Sequence, residues 1–124
     1  NQLVFPVAAK EKLVKKADGW ALDIYVFSPR PLDDLLIEPN MPKLTLVVKA
    51  KECQLAINDK AYVAASQNRH EATYKELPLL QGWNKVSIKI GERDKNEFSG
   101  NFRCDNRNEF LSSLKVMFVN PEVK

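Results

Sequence analysis

The groups able to do chemistry in this chain are few. His70 is its only histidine, so a Ser-His-Asp or Cys-His relay would have to be built around it. It stands in the polar run Asn68-Arg69-His70-Glu71, and no nucleophile-elbow pattern occurs anywhere in the sequence. It reads as a surface histidine. Asp33-Asp34 is the most notable carboxylate pair. Adjacent residues of an extended segment point to opposite sides, which suits a turn or an ion better than the paired acid and base of a glycosidase. Asp33, Asp34 and Asp105 are therefore candidates for a structural calcium site, although no Asp-x-Asp-x-Asp-Gly loop frames them. Cys53 and Cys104 form no Cys-x-x-Cys pair, so a zinc site lacks ligands. They suit either one long-range disulfide or two buried thiols. No catalytic set emerges, and the expectation is a chain that is not an enzyme.

Binding chemistry is better represented. Aromatic rings stack on apolar ligand faces, and planar polar groups hold hydroxyls. Trp20, Tyr62 and Tyr74 are the candidate rings, and Asn68, Arg69, Asn106 and Arg107 the candidate polar groups of the loops at 66–71 and 105–108. Each ring also has a simpler use as core or sheet cover.

The elements that must position these groups are short strands. Val86, Ile88 and Ile90 share one face of the run after Gln81-Gly82, and Lys85, Ser87 and Lys89 the other, the alternation of a half-buried strand. Trp20 to Phe27 repeats it, with Leu22, Ile24 and Val26 on one side and Ala21, Asp23, Tyr25 and Phe27 on the other. That second side is aromatic, which suggests cover on both faces. Further strands are expected at 43–50, at 53–57, at 61–65 after a tight Asn58-Asp59-Lys60 turn, at 72–77, at 98–104 and at 114–119. Residues 1–19 read as one or two short strands, 32–38 as a short apolar piece, 66–71 as a surface loop and 109–113 as a single helical turn. Turn signals roughly every 8–12 residues, with seven prolines mostly between the strands, point to a sandwich or barrel and not to alternating βα units.

The totals fit one domain, residues 1–124. At 124 residues with 44% apolar and 28% charged side chains, the chain can bury a real core. No apolar run approaches the ~20 residues of a membrane span, so no membrane partner is expected. Asn1 to Lys16 does not read as a signal peptide, and in an exported protein the leader would already be gone. The net charge of +3 is well mixed. Lys10, Lys12, Lys15 and Lys16 are the densest basic group, interrupted by Glu11. Trp83, Lys85 and Lys89 share a face, as do Tyr25 and Phe27, but the interleaving is sparse for a nucleic-acid platform.

The run Leu80-Gln81-Gly82-Trp83-Asn84-Lys85-Val86-Ser87-Ile88-Lys89-Ile90 resembles a segment of galactose-binding-like jelly-roll domains, which occur as accessory modules of bacterial carbohydrate-active enzymes. Asp23-Ile24-Tyr25-Val26-Phe27-Ser28-Pro29 is similar to that family's early aromatic strand. Leu55-Ala56-Ile57-Asn58-Asp59-Lys60 is similar to its hairpin, with Asp59 where glycine is more usual. The likeness covers roughly residues 20 to 121. It implies an all-β antiparallel β-sandwich of jelly-roll type and a non-catalytic carbohydrate-binding module in a secreted, periplasmic or cell-surface protein. Beside it a neighbouring catalytic domain is expected, and no nucleic acid. In such relatives ligands commonly sit on loops at one end of the sandwich, which favours Trp20, Tyr62, Tyr74 and the Asn and Arg groups above. The competing expectation is a structural or protein-interaction sandwich without a sugar ligand. Fold alone does not choose between them.

Overall fold

Strand alternation is realised as two antiparallel sheets in a computed structural model, which describes residues 2–5, 7–29, 44–104 and 108–121. The strands in chain order are β1 (Gln2–Val4), β2 (Val14–Lys16), β3 (Gly19–Ser28), β4 (Leu44–Val48), β5 (Cys53–Ile57), β6 (Lys60–Tyr62), β7 (Ser66–Gln67), β8 (Ala72–Leu77), β9 (Gly82–Gly91), β10 (Gly100–Cys104) and β11 (Lys115–Met117). One sheet runs β1-β10-β4-β8-β7, and the other β11-β3-β9-β5-β6. The free edge of β3 is shared. β2 pairs with its first residues, Gly19 to Ala21, and β11 with Tyr25 to Phe27.

Alternation decides what lies between the sheets. Leu22, Ile24 and Val26 of β3, Val86, Ile88 and Ile90 of β9, and Leu55 and Ile57 of β5 are all buried. They meet Leu44, Leu46 and Val48 of β4, Ala72 and Tyr74 of β8, and Phe102 and Cys104 of β10 in one apolar core. Each buried Val, Leu, Ile or Phe side chain among them stabilises the fold by roughly 1.5–3 kcal/mol. Phe5 closes one end, 5.6 Å from Phe102 in an edge-to-face contact. Gly100 is required there, because a Cβ would lie 2.5 Å from the Phe5 ring.

Several local expectations hold. Asn58 and Asp59 both have positive φ, 52° and 69°, and Ile57 pairs with Lys60 across them. This is the two-residue type I′ hairpin that Asn and Asp tolerate. Asn108–Ser113 forms the short helix α1. Other expectations change. Val7–Lys12 is a 3-10 helix between β1 and β2, which buries Ala9 against the core. Ser66 and Gln67, read as loop, pair with Thr73 and Ala72 as an edge strand. The apolar piece at 32–38, and with it Asp33 and Asp34, lies outside the described residues.

Asn84 is buried at 0% exposure. Its Oδ1 accepts the Leu80 N–H at 2.8 Å and the Asn58 amide at 2.9 Å. Its Nδ2 faces the carbonyls of Leu80, Gly82 and Val26 at 2.8, 3.1 and 3.3 Å. Two hydrogens serve three acceptors, so one is shared. This amide ties the turn before β9 to β3 and to the 58–59 hairpin. Gly82 supplies the turn itself with φ +94°, a conformation closed to most side chains.

Candidate functional site

The rings singled out from sequence do not converge on a platform. Tyr74 is 1% exposed, since it faces inward from β8, and its hydroxyl donates to the Cys53 carbonyl at 3.2 Å. No face of it is open to a ligand, which removes it from a stacking role. Burial holds its phenol well above the usual range. Tyr62 faces inward from the edge strand β6 opposite Leu55, half-buried against the core. Its ring has the Lys60 ammonium 5.7 Å from its centroid.

Trp20 also falls on the inward parity of β3, at the strand's beginning, where it packs partly against the core. Its indole N–H donates to the Glu92 carbonyl at 3.1 Å. The ammonium groups of Lys95 and Lys15 lie 4.1 and 5.6 Å from its ring centroid, in cation–π range. Asp94 braces the same end of the sandwich, accepting backbone N–H groups of Lys51, Glu52 and Gly91. A ligand would have to displace Lys95 to reach the indole face.

Asn68 and Arg69 share that end with Trp20. The Asn68 Oδ1 accepts the N–H groups of His70 and Glu71 at 2.7 and 2.9 Å, an Asx turn that shapes the loop. Gln67 pins the loop from below, its Nε2 ringed by the carbonyls of Ala50, Lys51, Asn68 and Glu71. Arg69 and His70 are exposed. Asn106 and Arg107, like Asp105, lie outside the described residues. Among the described residues no group of three His, Cys, Asp or Glu gathers for a metal. Neither Cys53 nor Cys104 is in a disulfide, and burial pushes the Cys53 thiol above its ordinary 9.0.

The surface with ligand-binding features is the outer face of the six-stranded sheet. Ladder register places Phe27 opposite Trp83, Tyr25 opposite Lys85, Asp23 opposite Ser87 and Ala21 opposite Lys89. It continues Ser87 to Ala56 and Lys89 to Gln54 on β5, then Ala56 to Ala61 on β6. Two halves result. One is aromatic, where the half-exposed rings of Phe27 and Trp83 meet edge to face at 5.3 Å, beside Tyr25 and Met117. The other is a trough of about 220 Å³ across β3, β9, β5 and β6. The small side chains Ala21, Ala56, Ala61 and Ser87 make it low, and Asp23, Gln54 and Lys89 border it.

The electrostatics of the two halves differ. At the trough's edge Lys89 pairs with Asp18 at 2.8 Å. That hydrogen bond, with the charge of Lys89, holds the Asp18 carboxyl below the usual carboxylate range. In the aromatic half Lys115 reaches 5.9 Å from the Phe27 ring centroid. Among the described residues, Lys85 has the exposed Asp59 as its carboxylate neighbour, at 4.0 Å. Among the described residues, the side chains of Asp23, Gln54 and Ser87 find no hydrogen-bond partner, leaving acceptors and donors turned to the trough. Sequence contained two signals for this face, the aromatic second side of β3 and the shared face of Trp83, Lys85 and Lys89 on β9. The trough had none, because alanines become a depression only once register aligns them. No protein-family model, curated protein or solved structure matches this chain.

Proposed function

We propose that the domain is a non-catalytic carbohydrate-binding module whose site is the outer face of the six-stranded sheet. The observation that carries this reading is the juxtaposition of the Tyr25, Phe27 and Trp83 rings with a polar-bordered trough on one face. A pyranose presents an apolar face and a rim of hydroxyls. The rings offer area for the first, and Asp23, Gln54 and Ser87 offer hydrogen-bond partners for the second. The trough crosses four neighbouring strands, a span of roughly 14 Å at the usual strand spacing, which suits a chain of sugars better than a single one. The likeness of residues 80–90 to galactose-binding-like jelly rolls supports the same reading. It extends it to an accessory role beside a neighbouring catalytic domain in an exported protein.

The test is retention of the purified domain in affinity gels that contain defined polysaccharides. Retention on at least one polymer is expected, with loss in Tyr25→Ala and in Ala56→Trp, which fills the trough from a half-exposed position. Both variants should keep the wild-type circular dichroism spectrum. Unchanged retention in both would remove the ligand from this face.

A second reading has its own observation. Met117, 41% exposed, extends the aromatic half to the sheet edge, and exposed Val14 lies on the same face opposite Ala21. A protein-interaction face would use the same apolar surface. It is favoured if no glycan is retained and the domain binds an adjoining domain through Met117.

A further inference from the structure

We infer that the glycan this face takes is anionic, a uronate-containing polysaccharide whose carboxylates are met by Lys85 and Lys115. The inference rests on the carbohydrate reading above and names its substrate class.

The outward positions of β2, β3, β9, β5, β6 and β11 carry Lys16, Lys85, Lys89 and Lys115, but a single carboxylate, Asp23. Their distribution matters more than their number. Lys89 is already paired with Asp18 at 2.8 Å, and Asp23 borders the trough, so the trough half is close to neutral. The aromatic half is not. Lys85 stands opposite Tyr25 on β9, and Lys115 opposite Phe27 on β11. They flank β3 from its two neighbouring strands, offset by two residues along it, so their backbones lie roughly 12 Å apart. Asp59 approaches Lys85 only at 4.0 Å, from a side chain 88% exposed, a pair that contributes little.

Two cations on either side of an aromatic row match a particular ligand geometry. A uronate ring has the apolar face of a pyranose and a carboxylate at its edge. With that face on Tyr25 or Phe27, the carboxylate of one sugar falls toward one lysine and that of the next toward the other. A neutral glycan would stack without offering either ammonium group a carboxylate. Single-stranded nucleic acid would also use rings and cations, and it serves as the competing ligand in the test.

The experiment is isothermal titration of the intact chain with polygalacturonate, with the same polymer after reduction of its carboxyls to alcohols, and with a single-stranded oligonucleotide. Expected is binding of polygalacturonate about tenfold tighter than of the reduced polymer at low ionic strength. This preference should collapse near 0.5 M salt, where screening removes exposed charge interactions. The Lys85→Gln/Lys115→Gln variant should lose the preference and retain binding to the reduced polymer. Equal affinity for the two polymers overturns the anionic assignment and leaves the carbohydrate reading standing. Binding of neither overturns both, and tighter binding of the oligonucleotide overturns both in favour of nucleic acid.

Discussion

Trp20 and Trp83 face each other's worlds across one sheet. Both lie on strands of the same ladder, β3 and β9, and both are half-exposed. Trp20 shares parity with Leu22, Ile24 and Val26, so it points between the sheets and caps the end of the core. Its N–H is bonded to Glu92 and its ring is covered by Lys95. Trp83 shares parity with Lys85, Ser87 and Lys89, so it points outward. Among the described residues, its ring meets Phe27 in an edge-to-face contact. One residue of parity therefore separates a structural tryptophan from one available to a ligand. Residue type alone does not divide them.

The largest effects should appear on the inward side. Asn84→Leu removes the amide that satisfies the Leu80 N–H and carbonyl and anchors Asn58. Leaving these groups unpaired should cost about 3 kcal/mol, read from urea unfolding midpoints at constant m. Because the turn before β9 also presents Trp83, glycan affinity should fall in the same variant. Trp20→Ala should cost about 2–3 kcal/mol, below a fully buried Trp→Ala change, while affinity stays at wild type. Trp83→Ala reverses the pattern. Affinity should drop about tenfold, the size of a single interface hot spot, with a stability loss near 1 kcal/mol from the Phe27 contact. If Trp20→Ala abolished binding and Trp83→Ala did not, the two tryptophans would have exchanged roles and the outer-face site would be wrong.

Alkaline pH offers a subtler probe of the inward side. Tyr74 and Cys53 both have raised values in the fold, each chiefly through burial. The folded chain thus keeps protons that the unfolded chain gives up above the ordinary 9.0 and 10.0 of these groups. Stability is complete below those values and declines as pH rises past them. Tyr74→Phe should lower stability by about 1 kcal/mol at pH 7, the worth of its bond to the Cys53 carbonyl. It should also flatten the decline above pH 10, seen as converging melting temperatures of the two proteins.

The sequence made the sandwich legible wherever a strand has one wet and one dry face. The alternations at 20–27, 83–90 and 98–104 became β3, β9 and β10 with the inward residues as read, and Asn58-Asp59 became the hairpin. It was less legible where pairing comes from elsewhere. Ser66-Gln67 has no apolar pattern and is a strand only because β8 offers an edge. Val7–Lys12 buries Ala9 with too little sequence to show a helical period. The site was harder still. Trp20, Tyr62 and Tyr74 were attractive as ring types, yet the same alternation that located their strands also turned them inward. Ala21, Ala56, Ala61 and Ser87 are bland one by one, and they make a trough because three ladders bring them into neighbouring rows.

The smallest expected effect tests whether the two halves of the outer face are electrostatically separate. Asp18 lies at the rim of the trough half, exposed, and its carboxyl is lowered mainly by the hydrogen bond from Lys89. A lowered carboxyl contributes to stability above its unfolded value of 3.8, and the contribution is lost as pH falls through the lower folded value. Asp18→Asn should therefore leave unfolding at pH 7 nearly unchanged and slightly flatten the acid limb below pH 4. Its more informative consequence is at the face. Without Asp18, Lys89 becomes an unpaired cation beside the trough, and affinity for a polyuronate should rise on the order of twofold, the scale of a screened surface pair. The rise should vanish in high salt, and the carboxyl-reduced polymer should show none. A gain as large as the loss in Lys85→Gln/Lys115→Gln would mean that anion recognition extends over the trough. No gain would confine it to the aromatic half, where Lys85 and Lys115 flank the rings.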